Sequence, residues 1–134
     1  MDTKKLLLGT LAGTITSFIT GFLVFGLALN SFMTSNVSIK DPPEYHWLII
    51  GHIFFAFLVT YIFMKWAGIS TLAGGLKAAT LIGLLASLGY NFTFLGTTGV
   101  FPGGISAAIV DAIGSTLIWA GGGAGVGWIL GKLN

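Results

Sequence analysis

The sequence predicts an all-α fold, an integral membrane four-helix bundle, and three observations carry that expectation. Hydrophobic residues make up 54% of the 134 residues and charged residues only 7%, against roughly 25% charged in an ordinary soluble domain. The apolar residues gather into four long runs. Within the runs there is no two-residue alternation of the kind that strands of a membrane barrel show, so each run reads as a helix. A soluble monomer is excluded, because so few charges cannot coat a water-facing surface of this size. Nucleic acid is excluded as a partner, since the basic residues are six lysines with no stripe to neutralise a row of phosphates. Without cysteine there is no disulfide framework, thiolate nucleophile or sulfur metal site.

A spanning helix needs about 20 apolar residues, because the hydrocarbon core is roughly 30 Å thick. The first run, Leu6 to Met33, carries no charge and exceeds that length, so it is expected to tilt or to project beyond the membrane. The second runs from His46 to Met64, the third from Leu76 to Leu95 and the fourth from Ile105 to Leu130. Between the first two, Thr34 to Tyr45 holds Lys40, Asp41, Pro42, Pro43 and Glu44, which break helix and form the one clearly polar loop. Lys65 to Gly75 is a turn punctuated by Gly68, Ser70 and Gly74, and Gly96 to Gly104 is an uncharged loop containing Pro102. Residues 1–134 therefore form a single transmembrane domain with almost nothing outside the lipid.

Lysine placement sets the orientation. With the N-terminus inside, Lys4, Lys5, Lys65, Lys77 and Lys132 fall on the inner side and only Lys40 on the outer, in keeping with the positive-inside rule. The expected topology is N-in, C-in. A rival reading makes the N-terminus a signal peptide with a cleavage site near Gly26-Leu27-Ala28, but the apolar stretch before that site is too long for a usual signal sequence.

Helices in lipid associate through close contact between small residues. Every fourth residue of the first run gives Gly9, Gly13, Ser17 and Gly21. The third gives Gly75, Ala79, Gly83, Ser87 and Asn91, and the fourth gives Ala107, Asp111, Ser115, Trp119, Gly123, Gly127 and Gly131. These faces are expected to pack against other helices of the chain, and Gly9, Gly13, Gly21, Gly83, Gly123, Gly127 and Gly131 are the candidates for a helix-packing interface that could extend to another subunit. The second run is bulkier, with Phe54, Phe55, Phe57, Tyr61, Phe63 and Trp66, and either fills such a groove or faces lipid.

The most informative residues are the polar ones that fall inside the runs. Asp111 lies six residues into the fourth run, about 9 Å from its outer end, and an ionisable residue at such depth usually faces a partner or a watery cavity. His52 lies at matching depth in the second run, and Asn30 and Asn91 lie near the outer ends of the first and third. One residue from each helix thus converges on the outer half of the bundle, with a His52–Asp111 pair at its centre and Tyr90 and His46 within range. Two functions fit such a cluster: a polar network that fixes helix register, or a site for a proton or a small ligand. His46 also fits an aromatic belt with Tyr45 and Trp47. No tightly spaced ligand pair for a metal, no phosphate loop and no cofactor motif accompanies the cluster. Ser115 stands one turn from Asp111 but has no oxyanion motif beside it, so no catalytic residue is assigned.

The segments Lys65-Trp66-Ala67-Gly68-Ile69-Ser70-Thr71, Gly74-Gly75-Leu76-Lys77-Ala78 and Val110-Asp111-Ala112, with the Gly-rich run to Trp128-Ile129-Leu130-Gly131-Lys132, resemble small four-helix bacterial inner-membrane proteins of the DUF1761-like group. That resemblance implies a bacterial inner membrane and no particular activity. Two functions are expected from the whole sequence. The first is a non-enzymatic small subunit or homo-oligomer that meets membrane lipids and a larger complex through its Gly faces. The second is a small channel, transporter or ligand-binding membrane protein that uses the polar cluster.

Overall fold

The computed structural model describes Asp2–Asn134, and every regular element among these residues is helical. Helix α1 spans Thr3–Gly21 and runs on as a π-helix over Phe22–Ala28; α2 is the short helix Asn30–Asn36. Helix α3 spans Tyr45–Ile62 and ends in a π-helical turn, Phe63–Ala67. Helices α4, Leu72–Thr97, and α5, Gly104–Leu133, complete the chain. Four of these units, Thr3–Ala28, Tyr45–Ala67, Leu72–Thr97 and Gly104–Leu133, are long and apolar enough to cross a membrane.

The helix ends follow from local chemistry. The Asp2 side chain accepts from the backbone N–H groups of Lys4 and Lys5 at 2.9 and 3.3 Å and caps α1, satisfying donors that have no partner within the helix. Thr71 caps α4 in the same way, accepting from the Gly74 N–H at 2.9 Å. The chain leaves α3 through Gly68, whose φ of 63° is a left-handed conformation that glycine adopts without a steric cost.

One expectation is corrected here. The run from Leu6 to Met33 is not a single α-helix: it widens at Phe22–Ala28, breaks at Leu29 and restarts as α2. Hydropathy is the same for an α- and a π-turn, so the change of helix type leaves no mark in an apolar window.

Helix α5 lies between α4 and α1, while α3 packs on α1 and reaches α5 more sparingly. Two glycine faces of α5 make this possible. On one, a Cβ at Gly75 of α4 would land on the Gly123 carbonyl oxygen, and Cβ atoms at Gly127 and Gly131 would land on the carbonyl oxygens of Thr71 and Ser70. Further along, Gly83 admits the Trp119 side chain. The α4 residues of this seam, Gly75, Ala79, Gly83, Ser87 and Asn91, are all buried. On the other face, Gly121 and Gly125 receive Thr20 and Thr16 of α1. Gly13 of α1 has room only for the Val126 and Ala56 side chains, at 2.6 and 2.9 Å from the position of a Cβ, and Gly9 receives Thr60. Gly21 is looser, with Ile118 at 3.3 Å and His52 at 3.8 Å. The glycine faces expected to serve as an interface are thus filled by helices of the same chain. The bulky α3 does both things left open for it: Phe63 is buried and Phe55 lies edge-on to Trp119 with centroids 4.2 Å apart, while Phe54 and Phe57 point outward.

The bundle has two unlike ends. At one, the termini meet, with Lys5 Nζ donating to Asn134 Oδ1 at 2.8 Å, above a core of Val59, Phe63, Ala79, Val126 and Leu130. At the other, the loops join: Ser38 N–H donates to the Val100 carbonyl at 2.8 Å and Gly103 N–H to that of Asn36 at 3.0 Å. Met33, Val37, Phe101, Ala107 and Ala108 form a separate core beneath them. Leu7, Leu11, Ile15 and Ile19 stay exposed along the outer face of α1, the face a bilayer would cover.

Candidate functional site

The polar residues expected to form a site gather at the loop end. Asp111 stands on the second turn of α5, opposite Asn91 of α4. The Asn91 Nδ2 donates to Asp111 Oδ2 and to the Ala108 carbonyl, each at 2.8 Å. An amide nitrogen carries two hydrogens, so both are spent on α5. With Asn91 only 5% exposed, this contact ties α4 to α5 and holds the carboxylate in one orientation. On the opposite wall, His52 Nδ1 lies 2.8 Å from Ser17 Oγ of α1. Ser17 Oγ also lies 3.2 Å from the Thr14 carbonyl, so the hydroxyl links the imidazole to the α1 backbone through Nδ1 and leaves Nε2 outside that contact. The Phe18 ring meets the imidazole nearly edge-on, with centroids 5.5 Å apart, and fixes its plane.

Between these walls lies a cavity of about 580 Å³. Asn30, His52 and Asp111 all line it, and its sides are the aromatic rings of Phe22, Phe25 and Trp47. Its mouth is the polar loop, where Lys40 and Glu44 form an ion pair of 3.0 Å. Asp111 Oδ1 and His52 Nε2 have no hydrogen-bond partner among the described residues. Among the described residues no unpartnered side-chain polar atom is fully buried, so both atoms are accessible, and both residues line the cavity. The π-turn explains the space: Phe22, Phe25 and Gly26 all belong to it and all line the cavity. An extra residue per turn displaces the helix wall there, as π-turns often do at functional sites.

Of the four polar residues expected to converge, the structure brings Asn30, His52 and Asp111 to one cavity and sets Asn91 behind Asp111 as its support. The direct His52–Asp111 pair is corrected: no ion pair between them occurs among the described residues. Helix α3 packs on α1 more than on α5, so the histidine meets Ser17 instead. Tyr90 does not join either; it is exposed and stacks on Phe94 with centroids 6.3 Å apart. His46 is exposed beside Trp47, centroids 4.9 Å apart.

Sequence reasoning missed Ser17, which it treated as a small packing residue, and the ring wall of Phe22 and Phe25. The depth of Ser17, level with His52, was the available signal for the first. Among the described residues no three His, Asp or Glu side chains come together as metal ligands. A second cavity, about 510 Å³, lies at the termini and is lined by Asp2, Lys5, Lys65, Ser70 and Asn134 among others; the Asp2 carboxylate there is already engaged in capping α1.

Comparison with models of protein families, with curated proteins and with solved structures finds no match for this chain. The cavity itself is therefore the basis for assigning a function.

Proposed function

We propose that the protein is a non-enzymatic, multi-pass protein of a bacterial inner membrane that binds a small amphipathic molecule in the cavity beneath the 34–45 loop. Its volume of about 580 Å³ falls in the range of roughly 300–1,000 Å³ typical of ligand sites. The single observation that carries the reading is the pairing of aromatic walls with polar atoms left free. Asn91 spends both amide hydrogens on α5 and so fixes helix register. Asp111 Oδ1 and His52 Nε2 are left unpaired on residues that line the cavity, where a molecule with one polar end and an apolar body finds partners for both.

The lysine distribution supports an orientation with both termini in the cytoplasm, which turns the mouth of the cavity to the outer side. The other expectation, a subunit that assembles through its glycine faces, loses its surface, because those faces are filled by the chain's own helices.

Native mass spectrometry of the protein gently extracted from its own membranes tests this reading, with Asn30→Trp as the control. Asn30 is exposed and lines the cavity, so a ring there occupies the space without entering the core. The expected result is a bound small molecule on the unaltered chain that is missing from Asn30→Trp. A chain that carries no such mass, or a mass that survives the substitution, contradicts it.

A further inference from the structure

We infer that the ligand of this cavity is an organic cation with an apolar, aromatic-compatible body, its charge seated on Asp111; the inference rests on reading the cavity as a binding site. The sign follows from where the charges of this nearly uncharged chain lie. It contains four acidic residues, and three of them, Asp41, Glu44 and Asp111, line this one cavity. Of its six basic residues only Lys40 lines it, and that ammonium is held by Glu44 at 3.0 Å. A ligand entering past the mouth therefore meets uncompensated Asp41 and then Asp111, and an anion would find no free lysine, only the half-buried ring of His52.

Asp111 is where such a ligand would rest. Its only side-chain partner is the neutral amide of Asn91, and a carboxylate within a membrane-spanning helix is costly without an opposite charge. A ligand ammonium at Oδ1 provides that charge. The rings of Phe22, Phe25 and Trp47 line the same space, and aromatic faces attract organic cations as well as burying apolar surface. A bare divalent metal ion is a poorer fit, because it needs several oxygen ligands together and Asp111 stands alone at the base.

The test uses the full chain in phosphatidylcholine nanodiscs and three probes that differ only in their head: 6-phenylhexyltrimethylammonium, 6-phenylhexanol and 6-phenylhexyl sulfate. Binding is read by calorimetry, with empty nanodiscs subtracted to remove partitioning. The expected result is that the ammonium binds about tenfold tighter than the alcohol, that the sulfate binds weakest, and that Asp111→Asn brings the ammonium down to the affinity of the alcohol. Asp41→Asn, at the exposed mouth, covers the case in which the Asp111 variant does not fold; it should cut the ammonium's advantage about threefold and leave the alcohol unchanged. If the alcohol or the sulfate binds as well as the ammonium, the cation assignment fails while the binding cavity stands. If none of the three binds above empty nanodiscs, the binding reading fails with it.

Discussion

The two halves of this bundle are built from the same four helices, yet along the α4–α5 seam one packs backbone against backbone, while the other holds a ring-lined cavity between its helices. At the termini end, small residues meet small residues. Gly75 lies against the backbone of Gly123, and Gly127 and Gly131 lie against the carbonyls of Thr71 and Ser70. At the loop end, Phe22, Phe25 and Trp47 stand around a cavity of about 580 Å³, and a π-turn replaces regular α-helix. What separates the halves is side-chain volume at the seam. Glycine lets the α4 and α5 backbones touch, whereas rings and a widened turn line the cavity at the loop end.

The largest expected effect breaks the packed seam. Gly75→Leu forces a side chain into the Gly123 carbonyl and should destabilise the fold by more than about 3 kcal/mol, beyond the usual cost of overpacking. The same change at Gly89, on the same helix, places the side chain where nothing lies within 4 Å and should move stability by less than about 0.5 kcal/mol. Unfolding in mixed micelles measures both, and equal losses would mean that the α4–α5 seam is not a backbone contact.

A middle effect belongs to the junction of the two halves. Asn91→Leu keeps the volume but removes two hydrogen bonds and leaves the Asp111 carboxylate and the Ala108 carbonyl without their donor. The expected cost is about 1–3 kcal/mol in the same unfolding assay, with weakened ammonium binding because the carboxylate is no longer held. An unchanged affinity would show that Asp111 needs no positioning.

The smallest effect lies at the mouth. Lys40→Gln removes an exposed ion pair, which should change stability by less than about 1 kcal/mol and by nothing measurable at high salt. Its use is to sharpen the electrostatic contrast: with the one basic residue gone from the lining, ammonium binding should strengthen while that of the uncharged alcohol stays constant.

Much of the helix packing was legible in the sequence. The ladders Gly9, Gly13 and Ser17 and Gly75 through Asn91 name buried faces, because four-residue spacing is a property of one helix and needs no knowledge of its neighbours; Gly21, next on the first ladder, is only half-buried and lines the cavity. The four membrane spans were legible for the same reason. The cavity was legible only as a depth: Asn30, His52 and Asp111 do share it, as their positions along each run imply. Their partners were not. Whether His52 meets Asp111 or Ser17 depends on the order of helices around the bundle, which three-dimensional packing decides. The π-turn at Phe22–Ala28 was hidden because its residues are as apolar as an α-turn would be. The docking of Ser38 on Val100 joins two loops that are far apart in the chain, and neither carries a pattern that names the other.

The central claim, an accessible cavity at the loop end beside a tightly packed helix seam, can be tested on one helix. The chain has no cysteine, so single cysteines report without background. Ile118 of α5 lines the cavity, and Val126, two turns along the same helix, is 0% exposed. A water-soluble cationic methanethiosulfonate added from the loop side should modify Ile118→Cys rapidly, leave Val126→Cys untouched, and lose access to the first when Asn30→Trp is present. Equal protection of both cysteines, or equal labelling, would contradict the division of the bundle on which this account of its function depends.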